Sequence, residues 1–202
     1  MSFDTCDANK LITTSYDGTI RSFDLAAQKV SLVFGLEDDE NLCTTYHRQL
    51  DANTFLFSMG SWGSIGIVDL RESNKKTSRE MQLFNRVSPK TVDIHPIKRD
   101  IFLCPNNKGH CATFDMRTGH SKKDGLMPTL LSLEGHTRAI SSALFSGNTG
   151  KSIATVAYDD KIRFYCSTAN EKEVTPYKSV AHNNQTGRWL TTFTAEVLMT
   201  ID

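Results

Sequence analysis

The stretch Ser15-Tyr16-Asp17-Gly18-Thr19-Ile20-Arg21-Ser22-Phe23-Asp24 decides the fold, because the chain repeats its pattern three times. Gly60-Ser61-Trp62-Gly63-Ser64-Ile65-Gly66-Ile67-Val68-Asp69 repeats it first, then Asn106-Asn107-Lys108-Gly109-His110-Cys111-Ala112-Thr113-Phe114-Asp115, and last Ala157-Tyr158-Asp159-Asp160-Lys161-Ile162-Arg163-Phe164-Tyr165-Cys166. The final positions, 24, 69, 115 and 166, are separated by 45, 46 and 51 residues. Each copy is a tight turn followed by alternation: Ile20, Ser22 and Asp24 on one face, Arg21 and Phe23 on the other, as a period of two requires. A second short apolar stretch precedes each turn, at Lys10 to Thr14, Thr54 to Ser58, Asp100 to Cys104 and Ser152 to Val156. No segment sustains apolar spacings of three and four, so the expected class is all-β.

A period of about 45 to 50 residues is that of one four-stranded blade of a β-propeller. Gly135-His136, the turn residues Asp17 and Asp159, and the endings Phe23-Asp24 and Phe114-Asp115 resemble WD40 repeats. The resemblance implies that the turn aspartate accepts a hydrogen bond from the histidine, which is linked onward to a hydroxyl and a Trp. Here Tyr165, Phe23 and Phe114 replace the Trp, so that chain of bonds is expected to stop short. Asp17, His136 and Asp159 are thus structural residues, and the pairing explains His136 better than a metal or a catalytic role does.

A WD40 ring closes with about seven blades, which leaves no sheet edge open. This chain supplies about four, with blade ends near 25, 70, 117 and 167 and a partial blade over 168–202. The expectation is a single incomplete propeller domain, a fragment or short isoform, whose first unit lacks its outer strands before Lys10. An open arc would have two unpaired edges, and with them marginal stability, aggregation or completion by another chain.

Lysine plus arginine equal aspartate plus glutamate at 23 each, but the distribution is uneven. Residues 1–70 carry 4 basic and 10 acidic side chains, residues 71–138 carry 13 and 7, and residues 139–202 carry 6 and 6. A polyanion is therefore best received by the middle segment. The five cysteines form no CxxC pair and fit a reducing compartment. No apolar run has the length of a membrane span and no signal peptide opens the chain, so a soluble intracellular protein is expected. Catalysis finds no phosphate-cradling loop, zinc spacing or nucleophile elbow. Cys104 and Cys111, near His110, are read as blade residues, and no cofactor, metal or small-molecule substrate is implied.

More specific is His182-Asn183-Asn184-Gln185-Thr186-Gly187-Arg188-Trp189-Leu190-Thr191, with the first repeat and Asp93-Ile94-His95-Pro96. These resemble the WD40 propeller family of Cmr1 and damage-specific DNA-binding protein 2, and the likeness runs to Glu196, with Val197 to Asp202 departing from it. The resemblance implies a nuclear protein acting on DNA or chromatin in the damage response. Asn183, Asn184, Gln185, Arg188 and Trp189 would form the inserted hairpin region, and Arg86, Lys90 and Arg117 would contact phosphates. Lys and Arg release counterions from phosphates, amides bond base edges and an indole stacks on an exposed base. As a loop, the same segment would satisfy turns with Asn and Gly and pack Trp189 between blades.

The resemblance also implies docking on damage-specific DNA-binding protein 1, the adaptor of a cullin-4 ubiquitin ligase, through a strand ending in aromatic-Asp-any-Arg. Phe114-Asp115-Met116-Arg117 fits this pattern, and Val68-Asp69-Leu70-Arg71 fits it less well. Asp115, Arg117 and Arg71 are the adaptor candidates, because only arginine presents a planar five-donor fork. The rival expectations are a generic protein-interaction scaffold that does not touch DNA, and a nonfunctional short isoform.

Overall fold

The computed structural model describes residues 1–35, 44–60, 62–72, 77–119, 125–167, 172–184 and 194. Every regular element among them is a β-strand, and no helix there is long and apolar enough to cross a membrane. The first sheet runs β1 (Ser2–Phe3), β2 (Lys10–Thr14), β3 (Thr19–Asp24) and β4 (Lys29–Gly35), each antiparallel to the next. The second repeats this order with β5 (Thr44–Gln49), β6 (Thr54–Met59), β7 (Ser64–Asp69) and β8 (Arg79–Gln82). In the third, β9 (Asp93–Ile94), β10 (Ile101–Pro105), β11 (Cys111–Asp115) and β12 (Thr129–Leu133) take the same places. The fourth is β13 (Ile140–Phe145), β14 (Ser152–Ala157), β15 (Lys161–Cys166) and, at its far edge, β17 (Lys178–Ala181).

Three features differ from expectation. The first sheet keeps a strand before Lys10, with Ser2 paired to Ile12 and Phe3 to Leu11, so it has four strands. The chosen ends at 25, 70, 117 and 167 fall after the third strand of each sheet, and the fourth strand lies beyond. Those last strands are quiet in the sequence because they bury little: β17 is exposed at all four positions, and β4 at its first four. Finally, residues 172–181, assigned to a new partial blade, belong to sheets already begun. Glu173–Val174, β16, pairs in parallel with β12, and β17 completes the fourth sheet. The β16 strand covers the free edge of β12, which would otherwise present unpaired backbone groups.

The chain forms two compact units, residues 1–89 and 90–202. In the first, Ile12, Ile20 and Phe34 pack with Phe55, Phe57, Met59 and Val68. The Phe34 and Phe57 rings lie 5.0 Å apart. In the second, Leu103, Leu131 and Leu133 meet Ile140, Phe145, Ile153 and Tyr165. Each such side chain contributes about 1.5–3 kcal/mol by leaving water. Polar links add register: the N–H of Phe145 donates to Asp93 Oδ2 at 2.8 Å, and that of Ala143 to Thr91 Oγ1 at 3.1 Å. Asp93 thereby fixes the first strand of the fourth sheet against the segment that opens the third.

Candidate nucleic-acid interface

The turn between β14 and β15 carries Asp159, and the chain entering β13 carries His136. His136 Nδ1 lies 3.2 and 3.1 Å from the two Asp159 oxygens, and Nε2 lies 2.6 Å from Thr155 Oγ1. The imidazole thus bridges the Asp159 carboxylate and the Thr155 hydroxyl, which donates onward to the Arg163 carbonyl at 3.4 Å. Arg163 Nη1 donates to Asp159 Oδ2 at 2.6 Å and also contacts His136 Nδ1. Burial and the Arg163 charge both lower the His136 pKa, so the imidazole is neutral. Burial raises the Asp159 pKa, but the bonds from Arg163 and His136 outweigh it and the carboxyl stays ionised. The Tyr165 hydroxyl donates to the Glu134 carbonyl at 2.9 Å. His136, Arg163 and Tyr165 thus each bond within the blade.

Arg163 was not singled out from the sequence, yet its signal is legible there. It follows Asp159 by four residues, as Arg21 follows Asp17, and Arg21 Nη2 donates to Asp17 Oδ2 at 2.8 Å. The Asp17 turn bonds locally, with Oδ1 accepting from the Thr19 hydroxyl at 2.6 Å and the Thr19 N–H at 3.1 Å. Those bonds lower its pKa although it faces water.

Two more arginines fold back onto carboxylates at the opposite strand ends. Arg117 donates from Nε to Asp115 Oδ1 at 3.0 Å and from Nη2 to Oδ2 at 2.7 Å. Arg71 repeats this on Asp69, at 2.8 and 2.5 Å. Both are side-on, two-bond pairings, and the arginine bonds lower both carboxyl pKa values, that of Asp69 to about 2. Arg117 remains largely exposed and also lies 3.6 Å from Asp100 through Nη1. Each fork is oriented by its own strand, with one edge facing solvent.

Arg86 differs. It is exposed, adopts a left-handed backbone (φ 54°) and stands over the Trp62 ring at 5.7 Å. No carboxylate pairs with it among the described residues. Trp62, half-exposed in the β6–β7 turn, is held by its backbone: Gln82 Nε2 donates to its carbonyl at 2.5 Å and to that of Phe84 at 2.7 Å. The Phe84 carbonyl covers Gly63 so closely that a Cβ would lie 2.0 Å from its oxygen. Trp62 was read only as part of the repeat, although a tryptophan in a turn of otherwise small residues marks it.

Within residues 90–202 the proposed contacts divide between two ends. The Lys90 N–H donates to the Pro105 carbonyl, at the end of β10 beside the Asn106–His110 turn. That turn reaches the His136 end of the fourth sheet, where the Ile140 N–H donates to the Asn106 carbonyl at 3.2 Å. Asn184 lies at this end too, its N–H donating to Asp160 Oδ1 at 3.0 Å. Arg117 does not. Ile101 pairs with Asp115, so Arg117 sits at the other end of β10, roughly 13 Å away at about 3.3 Å per residue. Arg117 therefore does not share a surface with Lys90, Asn183 and Asn184. Asn184 is itself only 1% exposed, so its amide is packed rather than offered, while Asn183 is exposed. Gln185, Arg188 and Trp189 lie outside the described residues. Cys104 and Cys111 are buried, and burial raises both thiols, so neither is a thiolate at neutral pH.

No protein-family model matches the chain. It is 34% identical over 196 residues to WD repeat-containing protein 76 of Xenopus laevis, covering 96% of this chain and 32% of that protein. It is 30% identical over 210 residues to DNA damage-binding protein CMR1 of Phaeosphaeria nodorum, covering 96% of the chain and 39% of the relative. The chain thus spans about a third of the length of the curated relatives it matches. Among solved structures, a chain of the crystal structure of the mitotic checkpoint complex superposes with a TM-score of 0.63 at 13% identity, over 85% of this chain and 48% of that one. Together with the four antiparallel sheets, this gives the fold as all-β, of the WD40 β-propeller class.

Proposed function

From its likeness to WD repeat-containing protein 76 and the Cmr1 proteins, we propose that this chain is a non-enzymatic WD40 binding module that contacts DNA in the nucleus during the damage response. The observation that carries the reading is the contrast among its arginines. Arg71, Arg117 and Arg163 are each committed to a carboxylate, whereas Arg86 is exposed, has no acidic partner among the described residues and stands over an exposed indole. An uncommitted guanidinium can neutralise a phosphate and release its counterion. Arg86 and Lys90 are the phosphate contacts of this proposal, with Asn183, Gln185, Arg188 and Trp189 for the bases.

Duplex-DNA affinity measured by fluorescence anisotropy between about 50 and 200 mM salt tests it. Binding should weaken steeply with salt, and Arg86→Glu or Lys90→Glu should each reduce the logarithmic slope by about 1. A salt-independent signal, or slopes unchanged in both variants, would leave a scaffold without DNA contact.

A specific observation favours a second role beside this one. The Asp115–Arg117 fork is oriented in advance and open on one edge at the end of β11, which suits recognition of carbonyls or carboxylates on the adaptor of a cullin-4 ubiquitin ligase. Arg71, oriented the same way, is the alternative docking residue. Arg117→Ala should lose the adaptor in a pull-down while Arg71→Ala keeps it. Retention by the Arg117 variant removes Arg117 from the role.

A further inference from the structure

The Asp93-Ile94-His95-Pro96 motif has a second consequence, at the end of the third and fourth sheets that carries Arg117. His95 is buried, and its Nδ1 accepts the N–H groups of Ile97 and Lys98 at 3.2 and 3.1 Å. One imidazole thereby folds the chain into a turn that pushes Ile97 and Lys98 outward, and Ile97 is 68% exposed. The other side of the ring rests on Gly150, where a Cβ would come within 2.5 Å of Cε1 and Nε2, and Gly150 is left-handed (φ 63°). Only glycine lets the β13–β14 loop approach this closely, and the approach sets Lys151 opposite Lys98.

Between these two loops lies an open cleft of about 420 Å³. Its apolar wall is Ile101, Leu130, Leu131 and Phe145, with the Phe145 ring 5.0 Å from His95. Lys98 and Lys151 form its rim, and among the described residues no carboxylate lines it. Neither lysine pairs with an acid among the described residues. The volume is that of a ligand site rather than a packing defect. The chemistry is apolar below and cationic at the lip, on a support that backbone bonds and a glycine hold in place.

We propose that this cleft receives an extended peptide of a partner protein in which one or two apolar side chains are followed by acidic residues. The apolar side chains fill the space over Leu131 and Phe145, and the carboxylates meet Lys98 and Lys151. Such a surface would discriminate by charge as well as by shape, because a basic peptide would place like charges against the rim. The site is at the opposite strand ends from Lys90 and Asn183, so it does not depend on the DNA reading.

The test uses the full 202-residue chain and two fluorescein-labelled peptides, acetyl-Leu-Phe-Asp-Glu and acetyl-Leu-Phe-Lys-Lys. Saturable binding of the acidic peptide alone is expected, and Lys98→Glu combined with Lys151→Glu should weaken it about tenfold or more. Both lysines are exposed, so the thermal melt should not move. Ile97→Asp, also at an exposed position, should weaken binding through the apolar component. Equal binding of the two peptides, no binding of either, or an affinity unaffected by lysine reversal overturns the proposal. So does a loss of duplex-DNA affinity in the double lysine variant, which would make the rim part of a nucleic-acid surface.

Discussion

Arg21 and Arg163 stand four residues after a turn aspartate, in the same repeat position, and do different work. The Arg21–Asp17 pair is about half-exposed on both sides, while Arg163 and Asp159 each keep 8% of their side-chain surface. Water screens the first pair and contributes little to the second. Removing one partner of a buried pair leaves the other uncompensated, which costs about 3–5 kcal/mol. Arg163→Ala should therefore lower the urea midpoint of the chain strongly, and Arg21→Ala should leave it nearly unchanged. Equal shifts in the two variants would show that the His136 cluster is not the buried network described.

Histidines supply a second residue-scale expectation. Burial, with smaller pushes from the N-terminal ammonium and then Arg48, lowers His47 from 6.5 to about 4, and burial also lowers His95, His110 and His136. A folded-state pKa below the unfolded one means that the unfolded chain binds more protons between the two values. Stability from these groups is therefore complete above about pH 6.5 and is lost as pH falls toward 4. The His47 contribution is about 3 kcal/mol, at roughly 1.4 kcal/mol per pKa unit. Urea titrations at pH 7.5 and 5 should show the loss, and His47→Gln should flatten it. A pH-independent midpoint would contradict imidazoles that stay neutral in the folded chain.

At the scale of elements, the β6–β7 pair shows how a glycine can be set by its cross-strand neighbour rather than by a turn. Gly66 pairs with Phe57, and a Cβ on Gly66 would lie 2.4 Å from the ring's Cζ. The fully buried Phe57 lies flat across the strand in the space that Gly66 leaves. Gly66→Ala should destabilise the chain by about 1–3 kcal/mol through overpacking, and Phe57→Leu in that background should recover part of the loss. Calorimetric melts of the two variants decide it, since a neutral Gly66→Ala would mean that the ring turns aside without cost.

The same scale explains which strands were legible. The second and third strands of every sheet were readable as short apolar stretches on either side of a turn, and β6, β10, β11 and β14, buried on both faces, carry little alternation of burial. The strand ends carrying Asp69–Arg71 and Asp115–Arg117 were singled out by the family resemblance rather than by any period. Strands β1, β9 and β16 were not readable, at two residues each, since so short a span shows no period. The parallel union of β16 with β12 joins residues about forty apart, and nothing local encodes it.

For the whole molecule, charge separates along the chain. Residues 1–89 hold nine basic and twelve acidic side chains, net −3, and residues 90–202 hold fourteen and eleven, net +3. Opposite units on one neutral chain favour association between copies when the screening length is long. The apparent mass by light scattering should be larger at about 20 mM salt than at about 300 mM, where the Debye length is shorter. A mass that is constant or rises with salt would point to apolar rather than charged contacts between copies.

The sequence by itself determined the all-β class and the four-fold repetition, since each rests on a local period that survives without knowing what packs where, while the pairing of His136 with Asp159 was what the WD40 resemblance implied. Tertiary structure alone decided which charges are spent and which are offered. Arg163 and Asn184 are enclosed, Arg117 is parted from Lys90 by the length of a strand, and Lys98 and Lys151 are brought to one cleft across about fifty residues of chain. The reason is physical. A repeat specifies a strand and its faces, but exposure and charge pairing depend on neighbours distant in sequence, and those are fixed only when the sheets pack.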